Sequence, residues 1–168
     1  MKTIAIISDT HIPTRQAKLP RDVLSAFNGV DLILHAGDFE SLTVVDTLEE
    51  IAPLIGVSGN MCWNEVREKF PLQLTLQVEE LTIGLTHGRG GPSGYNSRLI
   101  QLFDRENTDI IVSGHTHIPN AEIIEGILLL NPGSPTDKRF AKENTVLILK
   151  VDKSSYKYNF VQISPKNV

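Results

Sequence analysis

Five short apolar runs of this sequence are each followed by side chains that commonly bind metal ions. The segments that follow them are Ser8-Asp9-Thr10-His11, Ala36-Gly37-Asp38, Ser58-Gly59-Asn60, Thr86-His87-Gly88 and Gly114-His115-Thr116-His117. Four of the five histidines of the chain lie in these segments. Because sites in open α/β sheets assemble at the carboxyl ends of strands, where the loops diverge, we expect these side chains to meet in one place.

The chemistry of these side chains indicates a site for divalent metal ions. Asp, Asn and His offer oxygen and imidazole ligands without thiolate, which suits Mn, Fe, Ni or Zn better than a structural zinc site rich in cysteine. A carboxylate can bridge two ions, whereas one imidazole cannot. Two ions about 3.5–4 Å apart would activate a shared hydroxide and hold both phosphate oxygens of an in-line displacement.

The elements that must position these residues are short. Apolar runs bounded by turn residues predict strands at Thr3-Ile7, Leu32-His35, Leu54-Val57, Leu72-Val78, Leu81-Thr86, Ile110-Val112, Ala121-Ile124, Ile127-Leu130, Val146-Val151 and Tyr156-Val161. Segments that open with Pro or Ser predict helices at Pro20-Phe27, Ser41-Ile51 and Ser93-Phe103. The first half therefore has a βαβαβ pattern and the second half is richer in hairpins, which favours an α/β sandwich with helices outside. The tail after Val161 is expected to fray.

Length and composition restrict the class of protein. A chain of 168 residues suits one domain over residues 1–168, and no uncharged apolar run is long enough to span a bilayer. The short run Ile4-Ile7 ends at Asp9 and predicts a first strand rather than a signal peptide. With Cys62 as the single cysteine, a reducing, cytoplasmic setting is expected. A net charge of −4 without basic clusters argues against a nucleic-acid groove but leaves room for a small phosphorylated substrate.

The motifs together resemble those of the calcineurin-like metallophosphoesterase superfamily. Its pattern is Asp-x-His, Gly-Asp, Gly-Asn, His-Gly and Gly-His-x-His, and the likeness extends from Asp9 to the segment Asn131-Pro132-Gly133-Ser134. The sequence is most similar to the small prokaryotic phosphodiesterase branch, which is also related to the retromer subunit of the same fold. The resemblance implies two facing mixed β-sheets flanked by helices, an αββα sandwich, with the metals at one end.

The same resemblance implies a role for each ligand. Asp9, His11 and His117 would hold the first ion, Asn60, His87 and His115 would hold the second, and Asp38 would bridge them. The expected cofactors are two divalent ions per chain, Mn first, with Ni, Fe, Zn or Mg as alternatives. The expected function is hydrolysis of a small phosphodiester by a metal-bridging hydroxide. In that reaction His115 would stabilise developing charge and Asn60 would also orient the phosphate. Related proteins form dimers, so a homo-oligomer is expected.

Two positions depart from the family pattern. Many members place a His or Asp soon after the Gly-Asn motif, where a His can protonate the leaving group, but here Met61-Cys62-Trp63-Asn64 follows. Arg89 stands where related phosphodiesterases often have another His. Its guanidinium could bind a phosphate oxygen, or it could be a solvated loop residue.

Three further residues are expected to have roles other than metal binding. His35 is expected to be buried with a structural role, Asp137 to belong to a solvated loop, and Cys62 to be an inert thiol.

One alternative to the phosphodiesterase is a phosphomonoesterase or nucleotidase of the same family. The other is a non-catalytic metal-binding scaffold for protein interactions, which is the use that the retromer relative makes of this fold. Every ligand position is filled in this sequence, which favours the enzyme.

Overall fold

The computed structural model describes residues 1–164, and its elements alternate between strands and short helices in the first half of the chain. The strands are β1 (Lys2–Ile7), β2 (Leu32–His35), β3 (Leu54–Gly56), β4 (Gln73–Val78), β5 (Leu81–Thr86), β6 (Ile110–Val112), β7 (Asn120–Ile124), β8 (Ile127–Asn131), β9 (Asn144–Asp152) and β10 (Ser155–Ile163). The helices are α1 (Arg21–Ala26), α2 (Thr43–Glu49), α3 (Asn64–Lys69) and α4 (Tyr95–Gln101).

The strands form two mixed sheets of five strands each. The first sheet has the order β10-β9-β1-β2-β3, in which β1, β2 and β3 run parallel and β9 is antiparallel to both of its neighbours. The second has the order β4-β5-β6-β8-β7, in which β5, β6 and β8 run parallel and the two edge strands are antiparallel. Each sheet therefore contains three adjacent parallel strands, which places several strand carboxyl ends side by side.

Side chains alternate along β1 between two separate apolar layers. Ile4 and Ile6 pack with Ile83 and Val112 of the second sheet, in a core between the sheets. Ala5 and Ile7 point the other way, into a core that holds Val23, Val45, Leu48 and Val66 of the first three helices and Phe27, which follows α1. The helix α4 covers the outer face of the second sheet through Tyr95, Leu99 and Ile100. The layers are thus helix, sheet, sheet and helix, which confirms the predicted αββα sandwich.

The predicted elements agree with the structure for the strands more closely than for the helices. Each predicted strand overlaps an observed one, but the predicted helices are longer than α1, α2 and α4, and α3 was not predicted. A single buried side chain, Val66, anchors the six-residue α3, so its apolar pattern is weak. The prediction of a frayed tail was wrong for Gln162 and Ile163, which pair with β9, and its remainder lies outside the described residues after Ser164. Within residues 1–164, no helix is long and apolar enough to cross a membrane.

Candidate metal centre

The loops that follow β1, β2, β3, β5 and β6 meet at one end of the two sheets. Backbone hydrogen bonds join these loops: the amide of Asp9 donates to the carbonyl of Gly37 at 2.9 Å, and the amide of Gly114 donates to the carbonyl of His87 at 3.2 Å. The structure thereby brings together all seven of the predicted ligands, as the positions of the strand ends in the sequence indicated.

One half of the centre consists of Asp9, His11 and His117, all of them buried. The Nε2 atoms of the two rings lie 3.2 Å apart. Oδ1 of Asp9 lies 3.3 Å from Nε2 of His117 and 3.9 Å from Nε2 of His11. The ligand atoms of these three residues all lie within 4.8 Å of one another, a spacing at which they could hold one metal ion. We call this set the inner half.

The other half consists of Asn60, His87 and His115. Oδ1 of Asn60 lies 3.1 Å from Nε2 of His87 and 3.2 Å from Nδ1 of His115. His87 is buried, His115 is half-buried and Asn60 is exposed, so this half opens towards solvent. We call this set the outer half.

Asp38 lies between the two halves. Its Oδ2 is 3.2 Å from Nε2 of His87 in the outer half and 3.7 Å from Nε2 of His11 in the inner half. Asp9 and Asp38 also form a buried ligand group with His87. The carboxylate of Asp38 is therefore within reach of both halves, as the role of a bridging ligand requires. The assignment of ligands to the individual ions stays a prediction.

The hydrogen bonds of the outer half direct lone pairs towards its centre. Nδ1 of His87 lies 2.8 Å from the carbonyl of Ala36, and Nε2 of His115 lies 3.1 Å from the carbonyl of Gly90. Because a carbonyl only accepts hydrogen bonds, these nitrogens carry the protons, and the other nitrogen of each neutral ring has a lone pair. In the neutral rings, both lone pairs point at Oδ1 of Asn60, which also accepts. Three acceptors that converge in this way fit a metal cation, and in the metal-free chain Nε2 of His87 can instead carry a second proton and donate it to Asp38.

The charges in the centre also favour cations. Burial opposes ionisation of Asp9, but a hydrogen bond with His117 and the charges of His87 and His117 hold the pKa of Asp9 below its ordinary value. Burial would lower the pKa of His87, yet its hydrogen bond with Asp38 and the charge of Asp9 raise that pKa to about 9. The two buried carboxylates therefore attract positive charge, which a proton supplies when no metal ion does.

Two glycines allow the loops to approach closely enough to form the centre. A Cβ atom at Gly59 would contact Oδ1 of Asp38 and lie 2.6 Å from its backbone nitrogen. A Cβ atom at Gly37, whose φ is +93°, would lie 2.7 Å from Nδ1 of His87. Larger residues at these positions would displace Asp38 and His87, so the glycines are part of the construction of the centre.

Several residues around the centre adopt a left-handed backbone although they are not glycine. Their φ angles are positive: Asp9 53°, His11 45°, Asp38 56°, Glu40 73°, His115 69° and His117 59°. A non-glycine residue with a left-handed backbone raises the free energy of the folded chain by on the order of 1–3 kcal/mol. Such conformations are retained where the surrounding fold imposes them, and they are concentrated at functional sites.

Two buried carboxylates behind the inner half were not identified from the sequence. Oε1 of Glu40 lies 3.0 Å from Nδ1 of His11, and Oδ2 of Asp137 lies 3.6 Å from Nδ1 of His117. The prediction that Asp137 belongs to a solvated loop was wrong, because its side chain is buried and paired with Arg15 and Arg139. The spacing of Glu40, two residues after Asp38, was the one available signal.

A cleft of about 710 Å³ adjoins the outer half. Asn60 and His87 form its end at the centre, Arg67 and Arg89 add positive charge, and the apolar part of its lining is Phe70, Pro71, Leu72 and Leu102. The side chain of Arg89 is exposed, and the loop that carries it is held by Arg98, which donates to the carbonyls of Arg89 at 3.3 Å and Ser93 at 2.6 Å.

His35 and Cys62, which were not predicted to bind metal, lie close to the centre but outside its ligand set. His35 is fully buried, where its Nδ1 accepts a hydrogen bond from the amide of Gly37 at 3.2 Å and its ring stacks on Phe39. Burial lowers the pKa of His35 to about 3, so the ring is neutral. Cys62 is buried as well, and burial raises the pKa of its thiol, which favours the inert form.

Comparisons with known proteins agree with this geometry. A family model described as the calcineurin-like phosphoesterase superfamily domain matches residues 1–154. A probable metallophosphoesterase of Methanothermobacter thermautotrophicus is 41% identical over 89% of this chain and 86% of its own length. A phosphodiesterase of Methanocaldococcus jannaschii is 29% identical over 77% of this chain and 82% of its own length. Vps29 of Entamoeba histolytica, in a crystal structure with Zn²⁺, has a TM-score of 0.74 at 23% identity over 95% and 98% of the two chains, a likeness of fold alone.

Proposed function

Because this chain belongs to the calcineurin-like phosphoesterase superfamily, we propose that it is a phosphodiesterase that works with two divalent metal ions. The observation that carries the proposal is the convergence of the inner half, the outer half and Asp38 at one end of the sheets. The inner half would hold one ion and the outer half the other, with Asp38 between them. When bound, the ions would supply a deprotonated water as the nucleophile and neutralise charge on the phosphate.

Asn60 and His115 are the proposed catalytic residues of the chain itself. Asn60 is exposed at the end of the cleft, where its amide group can orient a phosphate oxygen while its Oδ1 faces the rings of the outer half. The carbonyl of Gly90 fixes the ring of His115 through Nε2. His115 is thereby held next to the position of the phosphate, where it would stabilise the charge that develops in the transition state through the ion that its Nδ1 holds.

The adjoining cleft favours a diester over a monoester. A diester has a second substituent that needs room beside the reacting phosphorus, and the cleft of about 710 Å³ provides it. Arg89 binds a phosphate oxygen from the cleft wall, as a guanidinium with its planar set of donors is suited to do. The phosphodiesterase of Methanocaldococcus jannaschii supports the same choice.

The remaining proposals concern the metal, the substrate, the cellular location and the oligomeric state. Mn²⁺ is the proposed metal, since carboxylate, amide and imidazole ligands suit it. The substrate is a small phosphodiester rather than a nucleic acid held in a basic groove, because the chain has a net charge of −4. The cytoplasm is the proposed location, because Cys62 is the single cysteine of the sequence, and a homo-oligomer such as a dimer is proposed from the resemblance to the family. A phosphomonoesterase and a metal-binding protein scaffold are the alternatives.

The test is hydrolysis of bis(p-nitrophenyl) phosphate by protein stripped of metal and then supplied with Mn²⁺, Ni²⁺, Zn²⁺ or Mg²⁺ in turn. Turnover that returns with metal and is lost in both Asp38→Ala and His115→Ala is the expected result. A parallel assay with p-nitrophenyl phosphate separates the diesterase from the monoesterase. Metal binding without turnover of either substrate would overturn the proposal of an enzyme and favour the metal-binding protein scaffold.

A further inference from the structure

The two halves of the candidate centre differ in the groups that hold their histidine rings. In the outer half, His87 and His115 donate to the backbone carbonyls of Ala36 and Gly90 at 2.8 Å and 3.1 Å. In the inner half, Nδ1 of His11 and Nδ1 of His117 both face carboxylates, those of Glu40 and Asp137. Neutral acceptors therefore support one half and anions support the other.

Glu40 is placed to hold the ring of His11 in one orientation. Its Oε1 accepts from Nδ1 of His11 at 3.0 Å, and its Oε2 accepts from the backbone amide of Thr14 at 3.1 Å. Both side chains of the pair are almost completely buried, with 6% and 2% of their surface exposed. The carboxylate is therefore fixed at both oxygens, and it keeps the proton on Nδ1 so that Nε2 is free to bind a metal ion.

Asp137 has the corresponding position behind His117. Nδ1 of His117 is buried and has no hydrogen-bond partner within residues 1–164, and Oδ2 of Asp137 faces it at 3.6 Å. The carboxylate is held by the guanidinium groups of Arg15 at 3.1 Å and Arg139 at 2.8 Å. A metal ion on Nε2 requires the proton on Nδ1, and a small rotation of the ring would then bring this proton into hydrogen-bond range of Asp137.

The charges around the two halves differ as well. The inner half contains Asp9 and is backed by the carboxylate of Glu40, while the charge of Asp137 is offset by the guanidinium groups of Arg15 and Arg139. The outer half has the neutral ligand Asn60, whose backbone carbonyl accepts from Nη2 of Arg67 at 2.7 Å. The guanidinium of Arg67 thus adds positive charge next to the outer half, which lowers its attraction for a second cation.

We propose that Glu40 and Asp137 are positioning residues that make the inner half the site of higher metal affinity, so that the chain binds its two ions in a fixed order. The inference rests on the proposed two-ion centre. A carboxylate behind a ligating histidine raises the basicity of the ring and fixes its orientation, and loss of such a partner typically weakens metal binding about 10–100-fold. The ion in the exposed outer half, beside the cleft, is then the exchangeable one.

The experiment is a calorimetric titration of the full, metal-stripped chain with Zn²⁺ against a competing chelator. The wild type should bind one ion tightly and a second more weakly. Glu40→Gln and Asp137→Asn should each weaken the first step about 10–100-fold and leave the second unchanged. Asp109→Asn is the matched control, because this exposed carboxylate also accepts from a backbone amide, that of Thr82 at 2.8 Å, at the opposite end of β6.

A measurement on the wild type keeps the proposal testable if a variant does not fold. In long-range ¹H–¹⁵N spectra, the first equivalent of Zn²⁺ should shift the ring nitrogens of His11 and His117, and the second those of His87 and His115. Simultaneous shifts, an inverted order, or variants that leave the first step unchanged would overturn the proposal. Ordered binding without hydrolysis of any diester would refute the phosphodiesterase and leave the proposed order intact.

Discussion

The rings of His11 and His117 face each other through their Nε2 atoms at 3.2 Å in the protein interior. Each ring turns its other nitrogen towards a carboxylate, Glu40 for His11 and Asp137 for His117. Burial would lower the pKa of His117, but its hydrogen bond with Asp9 raises that pKa, so a proton can join the pair in the metal-free chain. A bound metal ion would take the place of this proton and add its own binding free energy to the stability of the folded chain.

The first prediction concerns the stability that metal adds. An ion that binds only the folded chain should raise the free energy of unfolding by about 2.7 kcal/mol at a concentration 100 times its dissociation constant. Urea unfolding with Zn²⁺ and with EDTA measures this difference. His117→Ala should show a much smaller effect of Zn²⁺, and an equal effect in the variant would argue that the ion binds elsewhere.

The second prediction concerns the close approach of Gly59 to Asp38. Gly59→Ala should displace the carboxylate and reduce diester hydrolysis about 100-fold, because a shift of about 1 Å in a catalytic group has effects of this size. Gly91→Ala is the control, since a Cβ atom there would have nothing within 4 Å in the described part of the chain. Metal content and kcat of both variants are the measurements. Normal values in Gly59→Ala would show that the loop can adapt.

The third prediction concerns Arg89. Arg89→Ala should lower kcat/KM for the diester about 10–100-fold through a higher KM, as expected when a hydrogen bond to a charged group, worth about 1.5–3 kcal/mol, is lost. Metal content should be normal because Arg89 is exposed on the cleft wall. Arg105→Ala, which removes an exposed arginine that is paired with Glu125, should have no effect. Unchanged kinetics in Arg89→Ala would identify the residue as a solvated loop arginine.

The fourth prediction concerns the leaving group. No histidine follows Asn60 before α3, and the exposed side chains there are those of Met61 and Trp63, neither of which can protonate an alkoxide. An aryl diester, whose leaving group needs no proton, should therefore be cleaved much faster than an alkyl diester. Rates for a series of diesters with leaving groups of increasing pKa measure the dependence. Similar rates across the series would mean that another group donates the proton.

The fifth prediction concerns pH and His35. The pKa of His35 is about 3 in the folded chain because of burial, against about 6.5 in an unfolded chain. Between these values the unfolded chain binds more protons, so the free energy of unfolding should fall as the pH decreases, by up to about 1.4 kcal/mol per pH unit. This contribution is fully present above pH 6.5. Urea unfolding of metal-free wild type and His35→Gln over this range gives the difference. Parallel pH profiles would contradict the prediction.

Much of the fold and of the centre could be predicted from the sequence because the relevant signals are local. The strands of both sheets are short apolar runs, and Asp9, Asp38, Asn60, His87 and His115 each lie one to four residues after the end of one of them. Parallel strands bring their carboxyl ends to one edge of a sheet, so the order of residues along the chain already implied the meeting of these side chains.

The tertiary structure alone decided which groups support the ligands. Glu40 pairs with His11 across 29 residues, and Asp137 reaches His117 only because the loop after β8 folds over the centre. Burial and distance set the role of a carboxylate, and neither can be read from a charged residue in a polar loop. The sequence by itself therefore determined the α/β sandwich and which side chains meet at one end of its sheets, while the packing of the loops decided the unequal surroundings of the two halves of the centre.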